Sequence, residues 1–173
     1  MNNKLTAIVT LLFATHLAVA QMDMIIPIGH SRRVLDMKVS SDHQWLASID
    51  GSSQITIWNY ESGMETYHFT ASAPITNIAF GSNYLFSADK NGTILQYTLD
   101  GKVQQSISTE FSVLGLFAES ADSVLAVGEH ELKWFFKGKA INSSKSKVES
   151  ITAVYKVGPN IVIGGNDGSL EVF

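Results

Sequence analysis

The chain has 173 residues, a formal charge of -4, no cysteine, 45% hydrophobic residues and only 16% charged ones. It is too apolar for a disordered chain, has no thiols for a disulfide framework or a thiolate zinc site, and is too acidic for a general nucleic-acid binder. One domain is the default count at this length.

Met1 to Lys4 is a short polar start with one positive charge, Leu5 to Ala18 is almost entirely apolar, and Ala18-Val19-Ala20 places small residues where a signal peptidase reads. Residues 1–20 are therefore expected to be a signal peptide, cleaved between Ala20 and Gln21, with the product exported to the periplasm or the extracellular space. A membrane anchor is the competing reading, but a span needs roughly 18 or more consecutive apolar residues, a longer run than this one. After cleavage no membrane span is expected.

Beyond Gln21 the chain reads as strand after strand, with no sustained 3.6-residue apolar period. Residues 21–28 hold an N-terminal strand, Met24-Ile25-Ile26-Pro27-Ile28, whose proline suits an edge position that need not donate. Residues 29–69 form a first repeat with strands Val34–Val39, Trp45–Ser48 and Ile55–Trp58. Residues 70–107 repeat the pattern as Ile75–Phe80, Tyr84–Ser87 and Ile94–Tyr97. Residues 108–146 give Val113–Phe117, Val124–Val127 and Glu131–Trp134. Residues 147–173 give Ile151–Tyr155, Ile161–Gly164 and Leu170–Phe173, with no outer strand of their own.

Between these strands sit turn formers such as Ser41-Asp42-His43, Gly81-Ser82-Asn83 and Gly158-Pro159-Asn160. Asn91-Gly92 and Asp167-Gly168 are strong hairpin signals, expected to form two-residue turns with positive φ at both central positions. An aromatic closes each third strand, namely Trp58, Tyr97, Trp134 and Phe173, at intervals of 37 to 39 residues. That period is the length of one four-stranded propeller blade.

The first repeat resembles the WD-repeat proteins through Gly29-His30, Leu46-Ala47-Ser48 and Ile55-Thr56-Ile57-Trp58-Asn59, and the likeness extends over the chain from Gln21 onward. It implies an all-β, WD-repeat-like β-propeller with four blades, either the open arc of a larger propeller or a small closed ring. It also implies a buried network of His30, Ser48 and Trp58 with a turn acid, whose position falls on Ser52. Later repeats depart from this pattern. The second keeps Ser87, offers Asn91 and Tyr97, and has Ala71 where the histidine belongs. The third has a shorter hairpin, Gly128-Glu129-His130, and keeps Trp134. The fourth keeps Asp167 but has Ile163 and Phe173 in the serine and tryptophan places.

The N-terminal strand is expected to complete the last blade of a ring, this one or that of a longer product. As half of a longer ring the chain would expose an apolar blade face and self-associate. No catalytic, cofactor or metal constellation is visible. The histidines lack metal-ligand spacing, no serine sits in a nucleophile elbow, and Gly164-Gly165 has no phosphate-loop lysine. Asp89-Lys90-Asn91-Gly92 lacks the later ligands of a calcium loop. Asn91-Gly92-Thr93 and Asn142-Ser143-Ser144 match the N-glycosylation triplet, which matters only in a glycosylating host. Lys133, Lys137, Lys139, Lys145 and Lys147 crowd the third-to-fourth connection, as a basic edge or as lysines guarding an edge strand against pairing.

The resemblance implies a non-catalytic protein–protein interaction scaffold that binds another protein or peptide, not nucleic acid. Its partner face would include Arg32, Arg33, Ala73, Pro74, Lys90 and Asn166. The alternative is the N-terminal binding portion of a longer exported enzyme, since some exported bacterial WD-repeat proteins carry a caspase-like protease domain further along.

Overall fold

The structure is a computed structural model that describes residues 29–173, so the signal-peptide reading and the expected strand within residues 21–28 lie outside the described residues. Fifteen strands and no helix make up that region: β1 Val34–Val39, β2 Trp45–Asp50, β3 Gln54–Asn59, β4 Glu65–Thr70, β5 Ile75–Gly81, β6 Tyr84–Asp89, β7 Thr93–Thr98, β8 Val103–Ser108, β9 Gly115–Ala118, β10 Ser123–Val127, β11 Glu131–Phe136, β12 Lys139–Lys145, β13 Ile151–Val157, β14 Asn160–Gly165 and β15 Leu170–Val172. They form antiparallel meanders: three sheets of four strands, β1–β4, β5–β8 and β9–β12, and one of three, β13–β15.

Alternation along the strands gives every sheet two apolar faces, and adjacent sheets stack through them. Ala47, Ile49, Ile55 and Ile57 of the first blade meet Ile75, Ile78, Leu85 and Tyr97 of the second. Phe86, Ala88, Ile94 and Ile107 of the second meet Val113, Leu116, Val124 and Phe135 of the third. Leu125, Val127 and Leu132 of the third meet Ile151, Ile161 and Ile163 of the fourth. Each inner strand packs on the next, β1 on β5, β5 on β9 and β9 on β13. A closed four-bladed ring needs a fourth such core between blades four and one. Among the described residues there are only these three, and Met37 and Val39 of blade one and Tyr155, Val157, Leu170 and Val172 of blade four are exposed. The arrangement is an open arc of four blades.

The second-to-third-strand hairpins differ from the sequence expectation. Asn91 and Asp167 do not have positive φ; only the glycines after them do, with Gly92 at 82° and Gly168 at 82°. Gly92 N–H donates to Asp89 C=O at 3.2 Å and Gly168 N–H to Gly165 C=O at 3.2 Å. Each is thus a four-residue turn whose last residue is left-handed, the longer hairpin in which only that position calls for glycine. In blade one Ser53 holds that position, at φ 66°, with its N–H on Asp50 C=O at 3.0 Å.

Candidate functional site

The first blade carries a buried polar chain, positioned by its two central strands. Leu46 pairs with Trp58 and Ser48 with Thr56, so Ser48 and Trp58 lie on the same face of the sheet, the one away from blade two. Trp58 Nε1–H donates to Ser48 Oγ at 2.8 Å, and Ser48 Oγ lies 2.6 Å from His30 Nε2. The hydroxyl accepts from the indole, so its own proton goes to Nε2, and the proton of a neutral imidazole is then assigned to Nδ1. His30 Nδ1 stands 3.3 Å from Asp50 Oδ2. The contact is an electrostatic one and not an aligned hydrogen bond, and neither atom has another partner.

Asp50, with no exposed surface, also accepts Ser52 N–H at 2.9 Å, Ser52 Oγ–H at 2.6 Å and Gln54 N–H at 3.1 Å through Oδ1. Burial alone would raise its pKa, but the bonds from Ser52 and Gln54 and the nearby His30 outweigh it, and the carboxyl is held below its ordinary value. The sequence reading that placed the turn acid at Ser52 is corrected here. Ser52 is exposed and only donates to the acid, while Asp50, two residues earlier at the end of β2, faces the histidine. Asp50 was missed because it falls outside the family spacing. The signal for it is the matching Asp89, which accepts Asn91 N–H at 2.9 Å and Thr93 N–H at 2.8 Å in blade two.

Ser48, His30 and Asp50 follow the order of a hydrolytic relay, yet the hydroxyl is buried and already accepts from the indole. It is not an available nucleophile, and the array serves to lock the blade. Gly29 is fixed by the same packing: a Cβ there would lie 2.1 Å from Trp58 Cη2.

The other blades replace this chain with packing. In blade two Ser87 is buried and Asn91 is exposed on the turn, where it uses only its backbone N–H. The Tyr97 hydroxyl is buried without a hydrogen-bond partner. Burial pushes the phenol pKa up, against the nearby Ser87 hydroxyl and with the Asp89 carboxylate adding to the rise. Ala71, in place of the histidine, leaves a cavity of about 190 Å³ bounded by Ser87, Asp89 and Tyr97. In blade four Asp167 is exposed and accepts Ser169 N–H at 3.0 Å and Ser169 Oγ–H at 2.6 Å, with no histidine partner.

Trp134 is corrected as the third member of the aromatic series. A break in register marks Trp58 and Tyr97 where they pair with the outer strand, and in blade three it marks Phe135. Tyr97, Phe135 and Phe173 each pack against the preceding blade, whereas Trp134 packs toward the following one. The cause is the short hairpin. The closing pairs Ile49–Ile55, Ala88–Ile94 and Gly164–Leu170 enclose one residue more than Val127–Leu132 does, so the aromatic shifts by one along β11.

One end of the arc gathers the outer-to-inner connections and the hairpins just described. Backbone bonds tie them together: Gly51 N–H to Arg33 C=O, Ala71 N–H to Ser53 C=O, Thr109 N–H to Gly92 C=O, Ser146 N–H to His130 C=O and Asn166 N–H to Ser150 C=O. Arg32, Arg33, Pro74, Lys90 and Asn166 are exposed at this end and Ala73 is half-buried. The five lysines do not form one patch. Lys133 is held by Glu110 Oε2 at 2.9 Å and Thr109 C=O at 3.1 Å. Lys137 and Lys139 flank the turn into the exposed strand β12, and Lys145 and Lys147 follow at its other end. Among the described residues no group of three or more His, Asp or Glu side chains could hold a metal ion, and no helix is long and apolar enough to cross a membrane.

A family profile described as "WD domain, G-beta repeat" matches residues 23–59. The human U3 small nucleolar RNA-interacting protein 2 is 42% identical over 64 residues, 35% of this chain and 14% of that protein, and the mouse protein of the same name is 50% identical over 44 residues, 25% of this chain and 9% of that one. These relatives are mammalian, so the expected likeness to exported bacterial proteins is replaced by one to eukaryotic WD-repeat proteins. Among solved structures, "Structure of U3-55K" superposes with a TM-score of 0.69 at 17% identity over 84% of this chain and 53% of that one. The computationally designed Ika4 protein superposes with a TM-score of 0.67 at 19% identity over 85% of this chain and 94% of that one. The chain thus spans about half the length of the U3-55K chain and a smaller share of the curated relatives it matches. With the repeat profile on its first blade and the propeller arrangement in all four, this chain has the fold of a WD40-repeat β-propeller.

Proposed function

We propose that the chain is a non-catalytic scaffold that binds another protein through the end of the arc bearing Arg32, Arg33, Ala73, Pro74, Lys90 and Asn166. The observation that carries this reading is the set of backbone bonds tying each connection to a hairpin at that end. Loops fixed in this way present side chains on a rigid frame, which lowers the ordering cost of binding. Among the described residues the longest polar chain, around His30, is buried, and its hydroxyl is taken up by the indole of Trp58. Export with cleavage between Ala20 and Gln21 is part of the same proposal, supported by the apolar run from Leu5 to Ala18. The N-terminal sequence of the purified protein tests it.

A second reading draws on the identity to the U3 small nucleolar RNA-interacting proteins over 64 residues. Here the scaffold works within a ribonucleoprotein, and the expectation of no nucleic-acid partner gives way to association through RNA-bound proteins. One experiment separates the two. Partners retained by the full chain are compared with those of Arg32→Glu/Arg33→Glu/Lys90→Glu and of a control, Lys102→Glu, with and without ribonuclease. A partner lost with the triple variant, kept by the control and insensitive to ribonuclease supports the protein scaffold. Ribonuclease-sensitive retention supports the second reading, and equal retention by all forms overturns the assigned face.

A further inference from the structure

We propose that the cavity beside Tyr97 in blade two is a receptor for an imidazole ring, the side chain of a histidine that a partner protein holds out. That the occupant belongs to a protein rests on the scaffold reading above; the cavity and its chemistry do not. Three features meet there: the register shared by two blades, polar atoms left over around the cavity, and the place where it opens.

Blades one and two match position by position. Ser48 pairs with Met37 and Thr56 as Ser87 pairs with Ile78 and Leu95, and Trp58 faces Leu46 as Tyr97 faces Leu85. Asp50 and Asp89 each end the second strand, and each accepts through Oδ1 the backbone N–H groups two and four residues on. In blade one the His30 ring fills the space between these groups, with Nε2 2.6 Å from Ser48 Oγ and Nδ1 3.3 Å from Asp50 Oδ2. His30 and Ala71 both stand four residues before an inner strand, β1 and β5. What blade two lacks is the ring.

The vacated space is about 190 Å³, well above the roughly 30 Å³ share of one water, and Ser87, Asp89 and Tyr97 bound it. Tyr97 is 3% exposed, and among the described residues its hydroxyl has no hydrogen-bond partner. It stands beside Ser87 and Asp89, both of which act on its ionisation. The two backbone bonds to Asp89 go to Oδ1, which leaves Oδ2 for another donor. A ring placed as His30 is placed restores the order of blade one: Tyr97 O–H to Ser87 Oγ, Ser87 O–H to one ring nitrogen, and the other ring N–H to Asp89. Neutral imidazole accepts at one nitrogen and donates at the other, as these two ends require. An ammonium or guanidinium group only donates, so it accepts nothing from Ser87. Ser72 is the exposed residue of the wall and Ala73 is half-buried, so the cavity opens at the connection between blades one and two. That connection, tied by Ala71 N–H to Ser53 C=O, belongs to the end of the arc bearing Pro74 and Lys90. A partner loop laid across it reaches the cavity with one side chain, as the buried anchors of interfaces do.

The test uses the full chain and two probes, imidazole and a blocked Gly-His-Gly tripeptide, at about pH 8, where the imidazole ring is mostly neutral. Binding is read by NMR at the Ala71 methyl and the Tyr97 ring. Saturable shifts at both positions are expected with both probes. Thiazole, which keeps a ring nitrogen but has no N–H, and methylammonium are expected to bind at least tenfold more weakly than imidazole, and a blocked Gly-Ala-Gly tripeptide is expected to give no shift. Ala71→His supplies the ring from within the chain and is expected to abolish binding while strand content by circular dichroism is unchanged. Ser87→Ala removes one oxygen and is expected to weaken both probes at least tenfold, a result that decides the matter even where Ala71→His folds poorly. Absence of shifts at Ala71 and Tyr97, undiminished binding by either variant, or thiazole or methylammonium binding as tightly as imidazole overturns the proposal. Imidazole binding without tripeptide binding overturns it too, because the cavity is then closed to a partner's side chain. Equal partner retention in the experiment above would overturn the assigned face and leave probe binding as it is, so the two readings fail separately.

Discussion

Replacing Asp50 by alanine separates the acid assigned by the structure from the one suggested by repeat spacing. Four groups turn to its carboxylate: the Ser52 backbone and hydroxyl, the Gln54 N–H and the His30 imidazole. Ser52 is exposed, so water takes over its two bonds at little cost. Gln54 N–H loses its acceptor and the buried His30 Nδ1 loses the carboxylate that faces it, at about 1–3 kcal/mol each. Taking the middle of each range, the sum is about 4 kcal/mol. At about 2–4 °C per kcal/mol for a chain of this size, the midpoint falls by about 8–16 °C. Ser52→Ala removes one exposed donor and is expected to cost under about 1 kcal/mol. Urea titrations at pH 7 with unchanged m-values provide the measurement. Acid adds a second check through Asp50→Asn. The folded-state pKa of Asp50 lies below its ordinary 3.8, so its charge contributes stability above that value, and the contribution is lost as pH falls through the lowered one. The gap between wild type and Asp50→Asn should be constant from pH 7 to about 5 and shrink below 3.8. Equal costs at positions 50 and 52, or a gap that persists in acid, would refute the assignment.

Three other substitutions test the remaining geometry. Phe135→Ala empties a site between blades two and three and is expected to cost about 3–5 kcal/mol in the same titration, more than Trp134→Ala, whose ring is only partly buried. Ala71→His fills the cavity beside Ser87 and Asp89 and should stabilise the chain by about 0.5–2 kcal/mol, with the added imidazole visible as a protected ring resonance in NMR. Ser53→Gly relieves a left-handed serine at the position held by Gly92 and Gly168 in other blades, and should gain about 0.5–1 kcal/mol despite the loss of a long bond from Ile75 N–H at 3.4 Å.

Strand periodicity made the blades legible because the sheets carry apolar side chains on both faces, so alternation, turn residues and the recurring aromatics all point to the same element boundaries. Registry was legible only where hairpin length is constant. The missing residue in the Gly128–His130 hairpin shifts blade three by one, and a count of aromatics then selects Trp134, whose ring faces the wrong neighbour. Counting from the last inward residue of the hairpin, Leu132, leads to Phe135 as Ile55 leads to Trp58. The polar chain was half legible. His30, Ser48 and Trp58 sit at family spacing, but a carboxylate can reach the same imidazole from the strand end as well as from the turn, and spacing alone does not distinguish Asp50 from the position of Ser52. Turn type was obscured similarly, since Asn-Gly and Asp-Gly serve both the two-residue hairpin and the longer turn seen here.

The placement of the polar chain in blade one, and there alone, has a physical reason in the arc. Tyr97, Phe135 and Phe173 are each held on their inward side by a preceding blade, and apolar contact at about 25 cal/mol per Å² of buried surface is enough to fix them. Trp58 has no preceding blade among the described residues. Its ring is held by Ser48, by the Gly29 backbone laid across it and by His30, which Asp50 orients in turn. Directional bonds replace the missing neighbour, and they preserve the shape of a face that would otherwise relax when uncovered. The same reasoning explains why Ala71, Ala126 and Ile163 are tolerated at network positions further along: there the adjoining sheet does the holding. If so, Ser48→Ala should loosen Trp58, read as faster fluorescence quenching of that indole, whereas Ser87→Ala should leave Tyr97 as immobile as before, because blade one already packs against it.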